Sequence, residues 1–206
     1  SLPGQCCLCR GWTRGSLCGA CRAASLRSVP RCERCAIAVP SAQSICGNCL
    51  REPPPFARCI AALDYAEPWD ALIRQFKFHE RVELAALFAS LMREAWGDAD
   101  APDLLLPAPL SAARLRERGY NQSWELARRL NTSADAGLLL RVRDTAHQVA
   151  LPLLQRAANV HGAFAVEPLR RAELEGRVVT LVDDVLTTGA TAAEMARTLL
   201  AAGAAR

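Results

Sequence analysis

The chain of 206 residues lacks the features that carry a protein into or across a membrane. It has no uncharged apolar run of about 18 residues, so we expect no membrane-spanning segment. Its first residues, SLPGQCCLCR, show no basic stretch followed by an apolar run, which is the pattern of a secretory signal. Because 51% of the residues are hydrophobic, a disordered chain is also excluded. We therefore expect a folded cytoplasmic protein without membrane insertion.

Lysine is almost absent, because Lys77 is the sole lysine among 25 basic residues. The formal net charge is +4. Residues 1–55 hold seven arginines against Glu33 and Glu52, a surplus of +5, and residues 56–206 carry −1. A basic end normally indicates contact with nucleic acid. Arginine in place of lysine, together with abundant alanine, can equally follow genome composition, so the skew carries little weight.

Nine of the ten cysteines lie before residue 50, and eight of them form four Cys-x-x-Cys pairs. Each pair places two thiolates on one side of a tight turn, and two turns joined by a hairpin supply a tetrahedral sulfur cage for zinc. A disulfide framework would require an oxidising compartment, and a single redox pair would leave the other pairs unexplained. Pairing in chain order predicts two closed, structural zinc sites, with Cys6, Cys9, Cys18 and Cys21 in the first and Cys32, Cys35, Cys46 and Cys49 in the second.

Two alternatives stay open for these zinc sites. The pairs can be cross-braced, and Cys7 can replace Cys6, although a two-residue gap is the commoner geometry. In either case eight thiolates and two Zn²⁺ add −4 to the formal charge. The surplus of residues 1–55 then falls from +5 to about +1, so a DNA contact would depend on where the arginines point.

Three prolines at 53–55 follow the last cysteine pair and predict an extended, semi-rigid connector. The sequence therefore divides into parts with different compositions. We predict a double zinc-ribbon module at 1–52, a proline-rich linker at 53–56 and a second domain at 57–206.

Several elements of the second domain follow from its apolar pattern. We expect a strand over 57–68 and a helical stretch over 69–97, interrupted near His79. An apolar strand from Leu104 ends in two prolines, and three arginines, a glycine and an amide pair follow it. Such a loop can hold a pyrophosphate, because arginine forks neutralise a leaving group. It can equally be a basic turn that leads into a helix at 123–130.

The segment around 178–194 carries the strongest functional pattern. Residues 178–182 form a β-branched and apolar run typical of a buried parallel strand, and two aspartates follow it directly. Thr191 and Glu194 match a capping box, which predicts that the next helix starts at Thr191. The preceding Thr/Gly loop then lies at a helix N-terminus, which favours anions. Carboxylates beside a phosphate suit ribose hydroxyls or Mg²⁺, so the segment predicts a site for a ribose 5-phosphate.

The run VVTLVDDVLTTGAT resembles the phosphoribosyl pyrophosphate (PRPP) signature of type I phosphoribosyltransferases. Together with the cysteine pairs, PxPL…RxRGYNQS and RxRxTxxQ…R..N..GAF, it makes nearly the whole chain similar to the ComF/GntX family. Members of that family carry a double zinc-ribbon head and a phosphoribosyltransferase domain, and many are linked to competence or the use of external DNA. The resemblance implies an α/β fold with a parallel-sheet, phosphoribosyltransferase-like domain and a small N-terminal zinc module.

The resemblance also implies roles for individual residues. The catalytic acids, Asp183 and Asp184, would contact the ribose hydroxyls of PRPP bound with Mg²⁺, while zinc stays structural. The remaining PRPP contacts would be Thr187, Thr188, Gly189, Ala190 and Thr191 at the 5-phosphate, and Arg114, Arg118, Asn121 and Gln122 at the pyrophosphate.

The resemblance also bears on the activity and on the edge of the sheet. The activity would be that of a glycosyltransferase of the phosphoribosyltransferase type, with no acceptor named by the sequence. The alternative is a non-catalytic module that binds single-stranded DNA or an uptake helicase on a transferase scaffold. Family members continue with a further strand after the last helix, so we expect the sheet to lack its final strand and to have an unpaired edge.

Overall fold

A computed structural model describes residues 3–26, 29–99, 101–144 and 159–206. The fold is α/β, with a cysteine-rich N-terminal part followed by helices packed around a pair of parallel strands. The N-terminal part contains β1 (Gly4–Gln5), β2 (Trp12–Thr13), α1 (Gly19–Ser25) and α2 (Gly47–Arg51).

The helical stretch predicted over 69–97 is confirmed as two helices, α3 (Trp69–Phe78) and α4 (Leu84–Trp96), with a break that begins at His79. The strand predicted over 57–68 is wrong, because these residues form irregular chain. Their apolar side chains, including Leu63, pack onto the helical core instead of forming a ladder with a neighbouring strand.

The rest of the chain alternates short strands with helices. The strand after residue 103, the helix predicted at 123–130 and the strand predicted at 178–182 are all confirmed within one or two residues. The elements are β3 (Leu104–Pro107), α5 (Ala112–Arg118), α6 (Gln122–Leu130), β4 (Leu139–Arg141), β5 (Phe164–Val166), a 3-10 helix (Pro168–Leu174), β6 (Val179–Val182) and α7 (Ala190–Ala201).

The parallel pair β3–β6 lies at the centre of the domain. Its register runs from Leu104 opposite Val179 to Pro107 opposite Val182, so both strands end at the same edge. One apolar cluster packs α3, α4 and α6 on this pair, and a second joins it to α7 and β5. The carboxyl ends of β3 and β6 therefore open beside the loops that precede α5 and α7.

Strand β6 has β3 as its sole strand neighbour within the described ranges. On the opposite side, the N–H of Val179 donates to the carbonyl of Arg206, and the N–H of Ala205 donates to that of Arg177. None of the helices in the described part is long and apolar enough to span a membrane.

The cysteine-rich part packs directly against the helical domain. The indole N–H of Trp69 at the start of α3 donates to the carbonyl of Ser25 at 3.1 Å, and Arg31 pairs with Asp64 at 2.9 Å. Apolar side chains of the cysteine-rich part also join the main core cluster: Cys7, Leu8, Leu17 and Leu26. The two parts therefore share an apolar interface.

Candidate metal centres and phosphate-binding site

Eight cysteines form two clusters, each with four sulfur atoms within 4.8 Å of one another. The clusters follow chain order, and the first contains Cys6 rather than Cys7. Their members are Cys6, Cys9, Cys18 and Cys21 in the first cluster, and Cys32, Cys35, Cys46 and Cys49 in the second.

The sulfur spacing fits zinc and does not fit disulfides. The Sγ atoms of Cys9 and Cys18 are 3.7 Å apart, as are those of Cys35 and Cys46. Four sulfurs at about 2.3 Å from a tetrahedral Zn²⁺ are about 3.8 Å from one another, whereas a disulfide requires about 2.0 Å. Four thiolates close the coordination sphere, so these sites suit a structural role.

The two clusters match each other contact by contact. The N–H of Cys18 donates to Cys6 Sγ at 3.4 Å, and the N–H of Cys46 donates to Cys32 Sγ at 3.3 Å. The first cysteine N–H of each cluster bonds the carbonyl five residues later, at 2.8 Å in both. The residue after the second cysteine has a positive φ in both, 65° at Arg10 and 59° at Ala36.

Backbone amides prepare one thiol in each cluster for metal binding. Burial alone would raise the pKa of Cys6, but N–H groups of Cys18, Cys9 and Leu8 outweigh it and lower the pKa to about 6. The same balance lowers the pKa of Cys32 to about 6. Zinc binds the thiolate, so these amides favour the form that the metal requires.

The two aspartates after β6, here called the acidic pair (Asp183 and Asp184), are held by different partners. Asp183 Oδ1 accepts hydrogen bonds from the Ser123 hydroxyl at 3.0 Å and from the Asp184 N–H at 2.9 Å. Burial and the neighbouring Asp184 carboxylate raise the pKa of Asp183 to about 7, against the opposing effect of Lys77.

Asp184 has one strong partner. Its Oδ2 atom lies 3.0 Å from the ammonium nitrogen of Lys77, at the end of α3. This ion pair lacks the angular geometry of a hydrogen bond, so the buried Oδ2 has no hydrogen-bond donor among the described residues. The atom is therefore charge-balanced but still able to accept a hydrogen bond or bind a cation.

The loop between β6 and α7 lines a small cleft, here called the phosphate cleft. Its walls include one member of the acidic pair and most of the predicted phosphate contacts: Asp183, Thr187, Gly189, Ala190 and Thr191. Thr188 is exposed, and its hydroxyl accepts from the N–H of Ala190 at 3.4 Å. The positive end of the twelve-residue helix α7 lies at this cleft, so the cleft favours an anion.

Helix α7 begins differently from the capping-box prediction, which is wrong. The helix starts at Ala190, and its N-cap is Gly189 at φ 76°, without a side-chain cap. Glu194 instead accepts from the N–H of Gly162 at 2.7 Å and from Arg197 at 3.0 Å. The buried carboxylate thus satisfies a backbone N–H near β5. A glycine in the left-handed region allows the backbone to turn sharply into the helix beside the cleft.

The predicted pyrophosphate residues gather around the start of α6. Asn121 caps that helix through the N–H of Trp124 at 3.2 Å and donates to the carbonyl of Ala108 at 3.0 Å. Gln122 is fully buried, where it accepts from Arg118 at 3.2 Å and donates to the carbonyl of Lys77 at 3.3 Å. These two amides therefore hold backbone in place, and their contact with pyrophosphate stays a prediction.

Arg114 and Arg118 share a basic environment with an arginine that sequence reasoning left without a role. Burial lowers the pKa of Arg114, and the charge of Arg118 lowers it further. Burial and the charge of Arg114 likewise lower the pKa of Arg141, at the end of β4, and Asp183 acts in the opposite direction. These arginines are close enough to influence one another and suit an anion near the acidic pair. Sequence reasoning also missed Lys77 and Ser123, which approach the acidic pair from distant helices.

A larger cavity of about 400 Å³ lies beside β6, between α7, α4 and the chain at 55–62. Its walls are mainly apolar and include Phe56, Trp96 and Met195, while Asp183 lies at its margin. Two arginines, Arg58 and Arg206, also line it, but no helix N-terminus of the described part of the chain is directed into it as α7 is at the phosphate cleft. The smaller phosphate cleft is therefore the better anion site, although it encloses less space.

No protein-family model matches the chain. It is 36% identical to the DNA utilization protein YhgH of Salmonella typhimurium, across 100% of this chain and 94% of that protein. The competence protein F of Haemophilus influenzae is 32% identical, across 95% of this chain and 90% of its own length. Among solved structures, glutamine PRPP amidotransferase from B. subtilis, complexed with ADP and GMP, aligns with 65% of this chain and 29% of its own, with 17% identity and a TM-score of 0.38.

Proposed function

Since the chain belongs to the family of DNA utilization protein YhgH and competence protein F, we propose that it binds PRPP with Mg²⁺ and acts in the use of external DNA. The ribose hydroxyls are bound by the acidic pair, and the 5-phosphate is bound in the phosphate cleft. The role in DNA use follows the names of both relatives.

One observation carries the ligand assignment. A carboxylate and a helix N-terminus line the same small cleft, at the carboxyl end of a parallel strand. Ligands of open α/β sheets bind at this edge. Phosphate binds the amides of the loop 187–191 and the threonine hydroxyls there, which add donors without adding charge. The acidic pair would repel phosphate, so it contacts the uncharged diol of the ribose.

The acidic pair also fits Mg²⁺. The ion prefers oxygen ligands, binds through one or two carboxylates and takes its other ligands from water and substrate phosphates. Asp184 Oδ2 is buried and, apart from its ion pair with Lys77, has no hydrogen-bond donor within the described ranges, so it can bind a cation that arrives with the substrate phosphates. When bound, Mg²⁺ would neutralise the charge of the pyrophosphate.

The same arrangement supports group transfer if an acceptor binds beside the ribose. A nucleophile would then displace pyrophosphate at the anomeric carbon, and the chain would contribute orientation of the ribose and stabilisation of charge. The arginines at 114, 118 and 141 act on one another, and the charge of Asp183 acts on Arg141, so this basic group would neutralise the leaving group. The acceptor is not identified by any of these residues.

Calorimetric titration of PRPP with Mg²⁺ tests the ligand assignment. At about pH 8, above the raised pKa of Asp183, we expect wild type to bind and Asp183→Asn to bind more weakly by on the order of tenfold or more, because a hydrogen bond to a charged group is lost. Asp98→Asn, at an exposed position after α4, is the matched control and should bind like wild type. Equal affinity of wild type and Asp183→Asn, or no binding by wild type, contradicts the assignment.

A second candidate function, binding of single-stranded DNA, is favoured by one exposed side chain. Trp12 on β2 is 75% exposed, and it lies between the exposed Arg10 and Arg14. Proteins that bind single strands combine aromatic platforms for the bases with cationic contacts to the phosphates. This hairpin offers both on the surface of the cysteine-rich part, and its role is compatible with a PRPP site elsewhere on the chain.

Fluorescence anisotropy with a labelled oligothymidine tests this candidate. Stacking on one aromatic contributes about 1–3 kcal/mol per base, so Trp12→Ala should weaken binding by about fivefold or more. Leu50→Ala, at another exposed apolar position of the cysteine-rich part, should leave binding unchanged. Wild-type binding should also fall steeply with salt. A flat salt response, or unchanged binding by Trp12→Ala, would rule out this hairpin as the DNA contact.

A further inference from the structure

The sole lysine of the chain lies in the acidic pair's immediate surroundings. Lys77 is in the last turn of α3, and its Nζ atom is 3.0 Å from Asp184 Oδ2. Both side chains are largely withdrawn from solvent, with 18% of Lys77 and 10% of Asp184 exposed. Ion pairs on the open surface are screened by water, but this one is only slightly screened.

The backbone that carries Lys77 is fixed by two contacts from the segment before and within α6. The Tyr120 hydroxyl donates to the carbonyl of Phe76, and the Gln122 amide donates to the carbonyl of Lys77. Phe76 itself is buried in the main core cluster. The end of α3 is therefore anchored at Lys77 and at the residue before it, which limits where the ammonium group of Lys77 can lie.

The position of this ammonium group has a consequence for cations. Two adjacent carboxylates at the end of a strand attract divalent ions, and Asp184 Oδ2 is an acceptor with no hydrogen-bond donor in the described part of the chain. A cation at Oδ2 would lie beside the ammonium nitrogen and be repelled by it. The repulsion is strong because neither group is well screened by solvent.

We propose that Lys77 is the built-in counter-cation of the acidic pair, and that it keeps free divalent cations off the site. A divalent cation then enters as a complex with a phosphorylated ligand, whose own negative charges outweigh the repulsion from Lys77. This inference rests on the proposed function, because it takes the acidic pair as the ligand site. It makes Lys77 a positioning residue that sets the order in which cation and ligand bind.

Binding of Mn²⁺ alone, followed by electron paramagnetic resonance, tests the proposal in the zinc-loaded full chain. We expect no saturable Mn²⁺ binding to wild type at millimolar concentration. Lys77→Met should gain one saturable site, with an affinity for Mn²⁺ that exceeds that of wild type by on the order of tenfold or more, the scale of one close charge interaction. Lys77→Arg keeps the charge and should behave like wild type. Arg74→Met removes a charge from the same helix, where Arg74 pairs with Asp70, and should also behave like wild type.

The double variant Lys77→Met/Asp184→Asn identifies the new site, since it should lose the binding gained by Lys77→Met. Equal Mn²⁺ binding by wild type and Lys77→Met would overturn the proposal, as would a gain that persists in the double variant. If Lys77→Met does not fold, the proposal is tested by the melting temperature of wild type with and without Mg²⁺. Mg²⁺ alone should leave this temperature unchanged, and a rise would overturn the proposal. The Mn²⁺ titration contains no PRPP, so its outcome does not depend on whether the protein binds PRPP.

Discussion

Removal of zinc is expected to unfold the cysteine-rich part of the chain, residues 3–52. The buried apolar side chains of the described residues there are Cys6, Cys32, Ala36 and Cys49, so the interior of this part is made mainly of metal ligands. A structural Zn²⁺ contributes about 10–16 kcal/mol of binding free energy at neutral pH, and this becomes folding free energy where no core exists without it. The loss should extend to the contact between Ser25 and Trp69 at the start of α3.

Elemental analysis and hydrogen exchange measure this effect together. Wild type should contain two zinc ions per chain, in line with its two four-cysteine clusters, and Cys32→Ser should contain one. Cys7→Ser is the matched control, because Cys7 lies outside both clusters, and it should keep both ions. Chelation should remove the exchange protection of the cysteine-rich part before that of the helices. Full zinc content in Cys32→Ser, or unchanged protection after chelation, would disprove the assignment.

Substitution of Phe76 by alanine is expected to lower the free energy of unfolding by about 3–5 kcal/mol, the usual range for a buried phenylalanine. The side chain is 1% exposed and its ring centroid lies 5.5 Å from that of Phe88 and 5.8 Å from that of Tyr120. The vacated space cannot be filled easily, because helices α3, α4 and α6 surround it. The substitution should also loosen the last turn of α3, which carries Lys77.

Urea denaturation of the zinc-saturated protein measures this loss. Phe78→Ala, two residues later, is the control: its ring is 58% exposed and lies under Arg118 at 5.3 Å. That contact contributes about 0.5–1 kcal/mol at an exposed position, so the control should lose little stability. Equal losses in the two variants would show that Phe76 does not anchor the core.

The parts of the site that sequence reasoning found are those whose residues are neighbours in the chain. In each cysteine pair, and in the strand–acid–loop segment at 178–191, the side chains expected to bind the metal or ligand lie within a few residues of one another. Their spacing in the sequence is therefore enough to predict them. Lys77 and Ser123 could not be found in this way, since they reach the acidic pair from α3 and α6 through the packing of the whole domain. The rarity of lysine makes Lys77 conspicuous in the sequence, but it does not place Lys77 beside the acidic pair.

The two wrong predictions have the same cause: residues far away in the chain make contacts that replace the local contacts expected from the sequence. Glu194 has the spacing of a capping residue, but its carboxylate accepts a hydrogen bond from the N–H of Gly162 near β5 instead. Residues 57–68 have the apolar content of a strand, but their side chains pack onto helices. The helices α3 and α4 were predictable because their apolar faces repeat at helical spacing, whatever lies opposite.

The two cysteine clusters use the same backbone contacts but present different side chains to solvent. The residue before the first cysteine pairs with Trp12 in the first cluster and with Ala38 in the second, so the pairing is the same while the outward side chain differs. Metal binding depends on sulfur and backbone N–H groups, which both clusters contain. The surface of one cluster can therefore change without loss of the metal site beneath it.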